Sequence, residues 1–524
     1  MSDVTERRWW TLAVLCLSLL IVVVGNTVLN VAIPTLIREL HASTTQLQWI
    51  VDAYALVFAG LLFTSGALGD RFGRKGALTV GLVIFGTGSG LAAFSNSADQ
   101  LIATRALMGL GASLVMPSTL SILTNVFPPH ERARAIAIWA GVAGAGGAIG
   151  PITSGLVLGH FWWGAIFLIN IPIVALALGA GRVLVPTSRD PRRAPLDPVG
   201  AGLSILWLSA LLFGIIEGPQ RGWTSPEILW SFGIAVGVFV VFTQWELRRR
   251  APMLDLRYFT RPSFTGGALA IGLVFFAMYG MFFLMTQYLQ FVRNYTPLMA
   301  GVALLPMAAT MMTVAPMSAR VAERIGTKQV VASGLVIVAA GMGVLSRLHA
   351  HSSYGLLAGS LVVLAAGMSL TMAPSTASIM SALPLGKAGV GSAMNDTTRE
   401  IGGALGVAVL GSLLASHYTH RLQPLLHGLP VTARGMATSS VGGALNVASH
   451  AGGHAGATLA SGARSAYVDA MSSTVLVAGA VALLAAAIIA MVLPTRLGYS
   501  EEYDPDRVTD QPDEPEPEAV FVTD

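Results

Sequence analysis

The chain has 524 residues, of which 54% are hydrophobic and 11% charged, with a formal net charge of +4. A water-soluble domain carries about 25% charged residues, so this composition cannot clothe a soluble surface of that size. It points instead to the lipid bilayer, and it excludes nucleic acid as a partner because the basic residues sit in short connectors rather than in one patch.

Apolar runs of about 20 residues, long enough to cross a hydrocarbon layer roughly 30 Å thick, recur along the whole chain. In chain order they predict fourteen membrane-spanning helices at 10–33, 46–66, 77–95, 101–123, 136–158, 164–185, 199–216, 227–245, 264–290, 298–318, 329–346, 355–378, 389–414 and 468–492. The first run follows Arg7, Arg8, Trp9 and Trp10 and is too long for a signal-peptide core, so it reads as a span. The fold class is thus an all-α polytopic membrane protein. Of the 31 Lys and Arg residues, 22 fall in the connectors and tails on the side of the N-terminus and 7 in those on the other side. That bias predicts that both termini are cytoplasmic and that the cell membrane is the location. The lone cysteine, Cys16, lies inside the first span and allows no disulfide within the chain.

Two echoes divide the chain. GDRFGRK at 69–75 returns as AERIGTK at 322–328, which matches Asp70 with Glu323, Arg71 with Arg324, Gly73 with Gly326 and Lys75 with Lys328. Pro117-Ser118-Thr119 in the fourth span returns as Pro374-Ser375-Thr376 in the twelfth. Two six-helix halves explain both. The expected organisation is a bundle over 1–185, an inserted helix pair over 186–262, and a second bundle over 263–495 that contains an external loop at 415–467. An acidic, proline-rich cytoplasmic tail, 496–524, is expected to be disordered. The 415–467 segment, rich in Gly, Ala, Ser and His, reads as a mobile external loop. Its His417, His420, His450 and His454 lack the compact spacing of a metal site, and no metal is expected.

Ionisable residues inside spans carry the chemistry. Each costs about 2.5–3.5 kcal/mol at the bilayer centre on insertion scales, so each is expected to face a cavity or a partner. Asp396 and Glu400 lie roughly 10 and 16 Å along the thirteenth span at 1.5 Å per residue. Four residues apart, they share a helix face and resist joint ionisation. One of them can load and release a proton; equally, Arg399 can pair with Asp396 and merely neutralise the helix. Asp52 in the second span and Arg105 in the fourth have similar depths and are expected to lie close together, either as a static ion pair or as a coupling pair. In the ninth span Phe276, Tyr279, Phe283 and Gln287 form one stripe. It reads as packing or lipid contact, or as a wall for organic compounds. No Gly-x4-Gly-Lys-Ser/Thr loop occurs, which argues against ATP-driven work. There is no compact metal or nucleophile constellation, so no enzymatic activity is expected.

Several stretches resemble the major facilitator superfamily, in particular its fourteen-helix drug:proton antiporters. GALGDRFGRKGAL at 66–78 is similar to the signature connector, with Gly66, Gly69, Asp70, Arg71, Gly73, Arg74 and Lys75 in place. LIATRALMGLGA at 101–112 resembles the fourth-span motif around Arg105. GGAIGPITSG at 146–155 resembles the antiporter motif, with Gly146, Gly150, Pro151 and Gly155 and with Ser154 where Gly is usual. GNTVLNVAIP at 25–34 resembles the first-span motif, but Gly25 stands where an Asp is usual, leaving Asn26 to bind substrate without titrating.

The resemblance implies two six-helix bundles plus two inserted helices, and alternating access. It implies protons as the coupling ion, no other cofactor, and export of small amphipathic or cationic drug-like compounds. A dedicated exporter of one metabolite, antibiotic, siderophore or lipid is the alternative. It further implies that Asp70 latches onto the N-terminus of the thirteenth span, and that the carrier is a monomer in the bilayer. With 100 mV and one pH unit, one proton sustains roughly a 500-fold gradient of a compound whose export moves no net charge.

Overall fold

The computed structural model describes residues 2–187, 197–249, 252, 255–383 and 388–495; the acidic tail lies outside the described residues. Among the described residues the structure is helical, with no strand. Thirteen of its helices or helix pairs are long and apolar enough to cross a membrane. The fifth expected span falls within a further 32-residue helix, Pro129–His160, many of whose side chains lie outside the described residues.

In the first half, α1 is Ser2–Leu40, α2 Thr44–Phe72, α3 Arg74–Ala93, α4 Ala98–Val126 and α5 Pro129–His160, and the short α6 Ala165–Leu168 continues into α7 Asn170–Leu184. The inserted pair is α8 Pro198–Arg221 and α9 Pro226–Arg248. The second half comprises α10 Pro262–Gln287, α11 Pro297–Ala303, α12 Leu305–Ile325, α13 Thr327–Leu345, α14 Tyr354–Ser381, α15 Ala388–Leu422, α16 Val431–Ser439, α17 Val441–Ala451 and α18 Gly453–Val492.

Local chemistry sets the helix starts. Ser43 and Gln46 form a reciprocal capping box at α2, and Ser97, Ser353 and Ser440 accept from the exposed N–H groups of α4, α14 and α17. Gly73 and Gly326, the matched glycines of the sequence echo, both end one helix and begin the next at positive φ, +119° and +99°. The cap N–H of each bonds four residues back, to the carbonyls of Gly69 and Ala322. An L-side chain is strained there, so Gly73→Ala and Gly326→Ala should each cost about 1–3 kcal/mol. Thermal unfolding of the purified variants checks this, and unchanged midpoints in both would refute it.

The halves repeat their packing as well as their sequence. In the first, α2 and α3 pack on α4, α1 on α5, and α3 on α7; in the second, α12 and α13 pack on α14, α10 on α15, and α13 on α18. Close approach is made by glycine. A Cβ on Gly109 would sit 2.5 Å from the Tyr54 carbonyl oxygen, and one on Gly367 would sit 2.6 Å from that of Gly334. The halves meet along α2 with α15 and α5 with α11, and α8 leans on both α2 and α15. The inserted pair is therefore a lateral wall of the seam, not a spacer.

The expectation for 415–467 fails. α15 runs on to Leu422, and a 3-10 turn, Gln423–Leu426, leads to α16 and α17 before α18 begins at Gly453. Tyr418, Leu422, Leu426, Ala437, Val441, Ala444, Val447, Ala448, Leu459 and Ala463 are buried. Their three- and four-residue spacing gives each piece an apolar face, and small residues let the pieces lie flat on the bundle. The segment is a packed helical cap over one end of the molecule.

Candidate functional site

The glycine-lined α10–α15 contact and the α2–α15 seam bring polar side chains together near mid-helix. Arg105 on α4 is fully buried. Its Nε donates to the Ile50 carbonyl and its Nη1 to the Gly25 carbonyl, both at 3.1 Å. Its guanidinium lies 4.3 Å from the centroid of the Tyr54 ring. Gly25 thus takes part through its backbone. A Cβ there would come 2.7 Å from Phe85, so glycine also makes room for that ring.

Across the seam, Tyr279 on α10 lies against Gly403 of α15, where a Cβ would come 2.3 Å from its ring, and its hydroxyl accepts from Asn26 Nδ2 at 3.1 Å. Glu400 is one turn from Gly403 and 8% exposed; its Oε2 is buried and without a hydrogen-bond partner. Among the charged groups around Glu400, Asp396 and Arg399 of its own helix come before Arg105 of α4. Glu400 also lines a small cavity at the junction of α2, α8 and α15 with Ala55, Leu56, Ala59, Leu208 and Leu212.

The expected closeness of Asp52 and Arg105 is not found: they form no ion pair. Equal depth brought them to one level, but the helix face separates them. Ile50 and Tyr54 turn toward α4 and Arg105. Asp52 lies on the opposite side of α2, in line with Gln48, Ala55, Leu56 and Ala59, which face α15 and α8. It is fully buried, and both carboxylate oxygens lack a hydrogen-bond partner.

Asp396 and Arg399 do meet, Nη1 to Oδ1 at 3.5 Å. Arg399 also stacks over Phe275 at 5.4 Å. With its amide turned to satisfy its neighbours, Asn395 accepts from Arg399 Nη2 and Nε at 3.1 and 3.2 Å and donates to Thr376 Oγ1 at 3.1 Å. Asp396 is accordingly held in a local polar network, whereas Glu400 has no ion-pair partner among the described residues.

The stripe on α10 is not one open wall. Phe276 and Tyr279 are half-buried, but Phe283 and Gln287 are packed out of reach, and Gln287 Nε2 donates to its own helix at the Phe283 carbonyl. The stripe runs from the centre into the end where the halves close. In the connector motif, Arg71 is exposed and stacks on Phe72, Lys75 Nζ donates to the Arg182 carbonyl at 2.9 Å, and Gly66 and Gly69 lie beside Pro117 and Ser118 of α4. The Asp70 side chain and residues 384–387, which bear on the expected latch, lie outside the described residues, as does Gly146. Gly150 would place a Cβ 2.0 Å from Thr27 Oγ1 of α1 and Gly155 one 2.6 Å from Leu298 Cα of α11, while the Pro151 carbonyl lies beside Gly301. This motif accordingly packs α5 against both halves.

Sequence reading missed several seam residues. Gln48 Nε2 donates to the Val407 and Ala408 carbonyls at 3.2 and 2.9 Å and to Ser412 Oγ at 3.2 Å, and Ser412 Oγ donates to the Ile215 carbonyl of α8. Thr44 Oγ1 donates to the Ser439 carbonyl at 2.7 Å and Gln290 Nε2 to the Val31 carbonyl at 2.7 Å. A glutamine inside an apolar span was the available signal for Gln48 and Gln290.

Known proteins are similar to this chain in sequence and in fold. The chain is 35% identical over 484 residues to the multidrug efflux pump LfrA of Mycolicibacterium smegmatis, covering 92% of this chain and 96% of that one. It is 34% identical over 515 residues to the tetracenomycin C resistance and export protein of Streptomyces glaucescens, covering 96% and 95%. It is 33% identical over 484 residues to the methyl viologen resistance protein SmvA of Salmonella typhimurium, covering 92% and 97%. In fold it is similar to a bacterial homologue of the human lysosomal transporter Spinster, with a TM-score of 0.67 at 18% identity over 93% of this chain and 98% of that one. The family model for the Major Facilitator Superfamily matches residues 15–407, and the chain belongs to that superfamily.

Proposed function

We propose that this protein is a proton-coupled antiporter that exports small amphipathic or cationic drug-like compounds across the cell membrane by alternating access. Three relatives whose names denote multidrug efflux, antibiotic export and methyl viologen resistance support the substrate class. One observation carries the mechanism. Glu400 sits in the seam between the two bundles, within the field of Arg105, with a carboxylate oxygen left unpaired.

When Glu400 is ionised, Arg399, Arg105 and a cationic substrate compete for its charge. When it is protonated, the attraction is lost and the substrate is released. The same residue thus binds either the proton or the cation, which is the condition for exchange. Asp52 is a second carboxylate of the same seam and is proposed to take part in the proton route; Asp396 serves chiefly to hold Arg399. The distribution of Lys and Arg supports cytoplasmic termini, which makes the capped end the outer face. The protein acts as a carrier rather than an enzyme and as a monomer.

The test is accumulation of ethidium in inverted vesicles with an acid interior. Accumulation that follows the pH gradient and collapses with a protonophore is expected; accumulation indifferent to the gradient would refute the coupling. Competition by unrelated compounds separates a multidrug carrier from an exporter of one antibiotic. In the same assay Asp52→Asn should lower driven accumulation by about tenfold. Its unfolding temperature should hold or rise, because a buried carboxylate without a partner is costly. Full activity in Asp52→Asn would remove Asp52 from the proton route.

A further inference from the structure

A cleft of ≈ 320 Å³ opens at the capped end, between the outer end of α1, the π-helical turn Tyr288–Val292 that continues α10, and the cap helices α16 and α17. It is separate from the Glu400 centre, and its walls come from both halves. The two non-glycine residues with positive φ among the described residues, His41 at 51° and Asn294 at 56°, both line it. His and Asn are among the residue types that adopt this left-handed backbone, and it persists where surrounding structure holds it.

Its chemistry is one-sided. Among the described residues lining it there is one fixed cation, Arg38, and no carboxylate. Arg38 is exposed and its guanidinium lies 5.8 Å from the centroid of the Phe291 ring; among the described residues its Nη2 donates to Thr35 Oγ1 at 3.2 Å, and the neighbouring Glu39, which does not line the cleft, acts on its charge. Gln290 is 4% exposed. Its Nε2 is used by Val31, but its Oε1 is buried with no hydrogen-bond partner. A buried acceptor left unpaired is costly, and a ligand N–H or O–H would recover that cost. Phe291 and Leu445 add apolar surface, and the exposed Asn446 rims the cap side.

We infer that this cleft is a second small-molecule site, open to the outer face, for an amphipathic anion that carries one hydrogen-bond donor and a planar apolar body. The anion pairs with Arg38, the donor reaches Gln290 Oε1, and the ring covers Phe291. Because α1 and α17 belong to opposite halves, an occupant favours the state in which they are together. The site does not accept the organic cations proposed for the Glu400 centre, since Arg38 repels them.

The full-length protein in lipid nanodiscs is titrated with indole-3-acetate and with tryptamine, which shares the ring and its N–H but is cationic, and binding is followed by saturation-transfer NMR. Asn446→Trp fills the cleft from an exposed position where folding is safe, so the binding it removes is binding in the cleft. That component should favour indole-3-acetate by tenfold or more. Arg38→Gln should erase most of the preference, and Gln290→Leu should weaken indole-3-acetate by about tenfold. The inference is overturned if indole-3-acetate does not bind, if its binding survives Asn446→Trp, or if tryptamine binds the cleft equally well. None of these outcomes depends on Glu400, so the cleft and the proposed exchange centre stand or fall separately.

Discussion

Glu400→Gln is expected to abolish proton-driven accumulation of a cationic substrate while leaving the carrier folded and able to exchange substrate for substrate. With the voltage clamped and one proton exchanged, one pH unit supports at most about a tenfold concentration ratio, and the variant should hold a ratio of about one. Gln keeps the shape of Glu and, like the protonated acid, offers an acceptor and a donor, but it cannot titrate. Arg105 loses the charge that acts on it from α15, but it keeps the Ile50 and Gly25 carbonyls and the Tyr54 ring, so the bundle should survive. Substrate affinity in the wild type should rise with pH, because proton and cation compete for one carboxylate; in Glu400→Gln that dependence should vanish. Accumulation in proteoliposomes and equilibrium binding across pH are the measurements. A variant that still concentrates substrate along the pH gradient would move proton coupling away from Glu400, with Asp52 as the next candidate.

The sequence contained the repeat and most of the helices in legible form, since apolar length and echoed turn residues are local signals. Gly73 and Gly326 show this best: one echoed letter became one shared backbone conformation and one shared cap. What stayed hidden depends on helix rotation and on longitudinal position. Asp52 and Arg105 have matching depths, yet α2 turns Tyr54, not Asp52, toward α4. The Phe276–Gln287 stripe is a true helical stripe, but its far half enters the closed end, where Phe283 and Gln287 are buried. The composition of the 415–467 segment alone points to a loop. Glycine, alanine and serine suggest a loop in water, but against a membrane bundle they are the residues that let short helices pack flat, and their apolar spacing carried the information.

Gly402→Ala is expected to be among the most damaging single-methyl changes in the chain. A Cβ at Gly402 would lie 2.2 Å from the Gly272 carbonyl oxygen and 2.8 Å from its Cα, and one at Gly406 would lie 2.2 Å from the Phe276 carbonyl oxygen. Both obstacles are backbone of α10, which cannot rotate aside as a side chain would, so α10 and α15 must separate toward ordinary contact at 3.4 Å or more. Overpacking of this kind costs about 1–3 kcal/mol, more than the roughly 0.5–1 kcal/mol that alanine gains over glycine inside a helix. Gly343 in α13 isolates the second term, because a Cβ there meets nothing within 4 Å. Gly343→Ala should therefore hold or raise the unfolding temperature, whereas Gly402→Ala should lower it. The functional cost should be larger still. Tyr279 rests on Gly403 and bonds to Asn26 at 3.1 Å, so a separation of about 1 Å at Gly402 displaces the hydroxyl from Asn26 and the α10 wall from Glu400. Misplacement of that size can cost up to about 100-fold in rate. Transport by Gly402→Ala at the wild-type rate, with an unchanged unfolding temperature, would mean that the two helix backbones do not touch there.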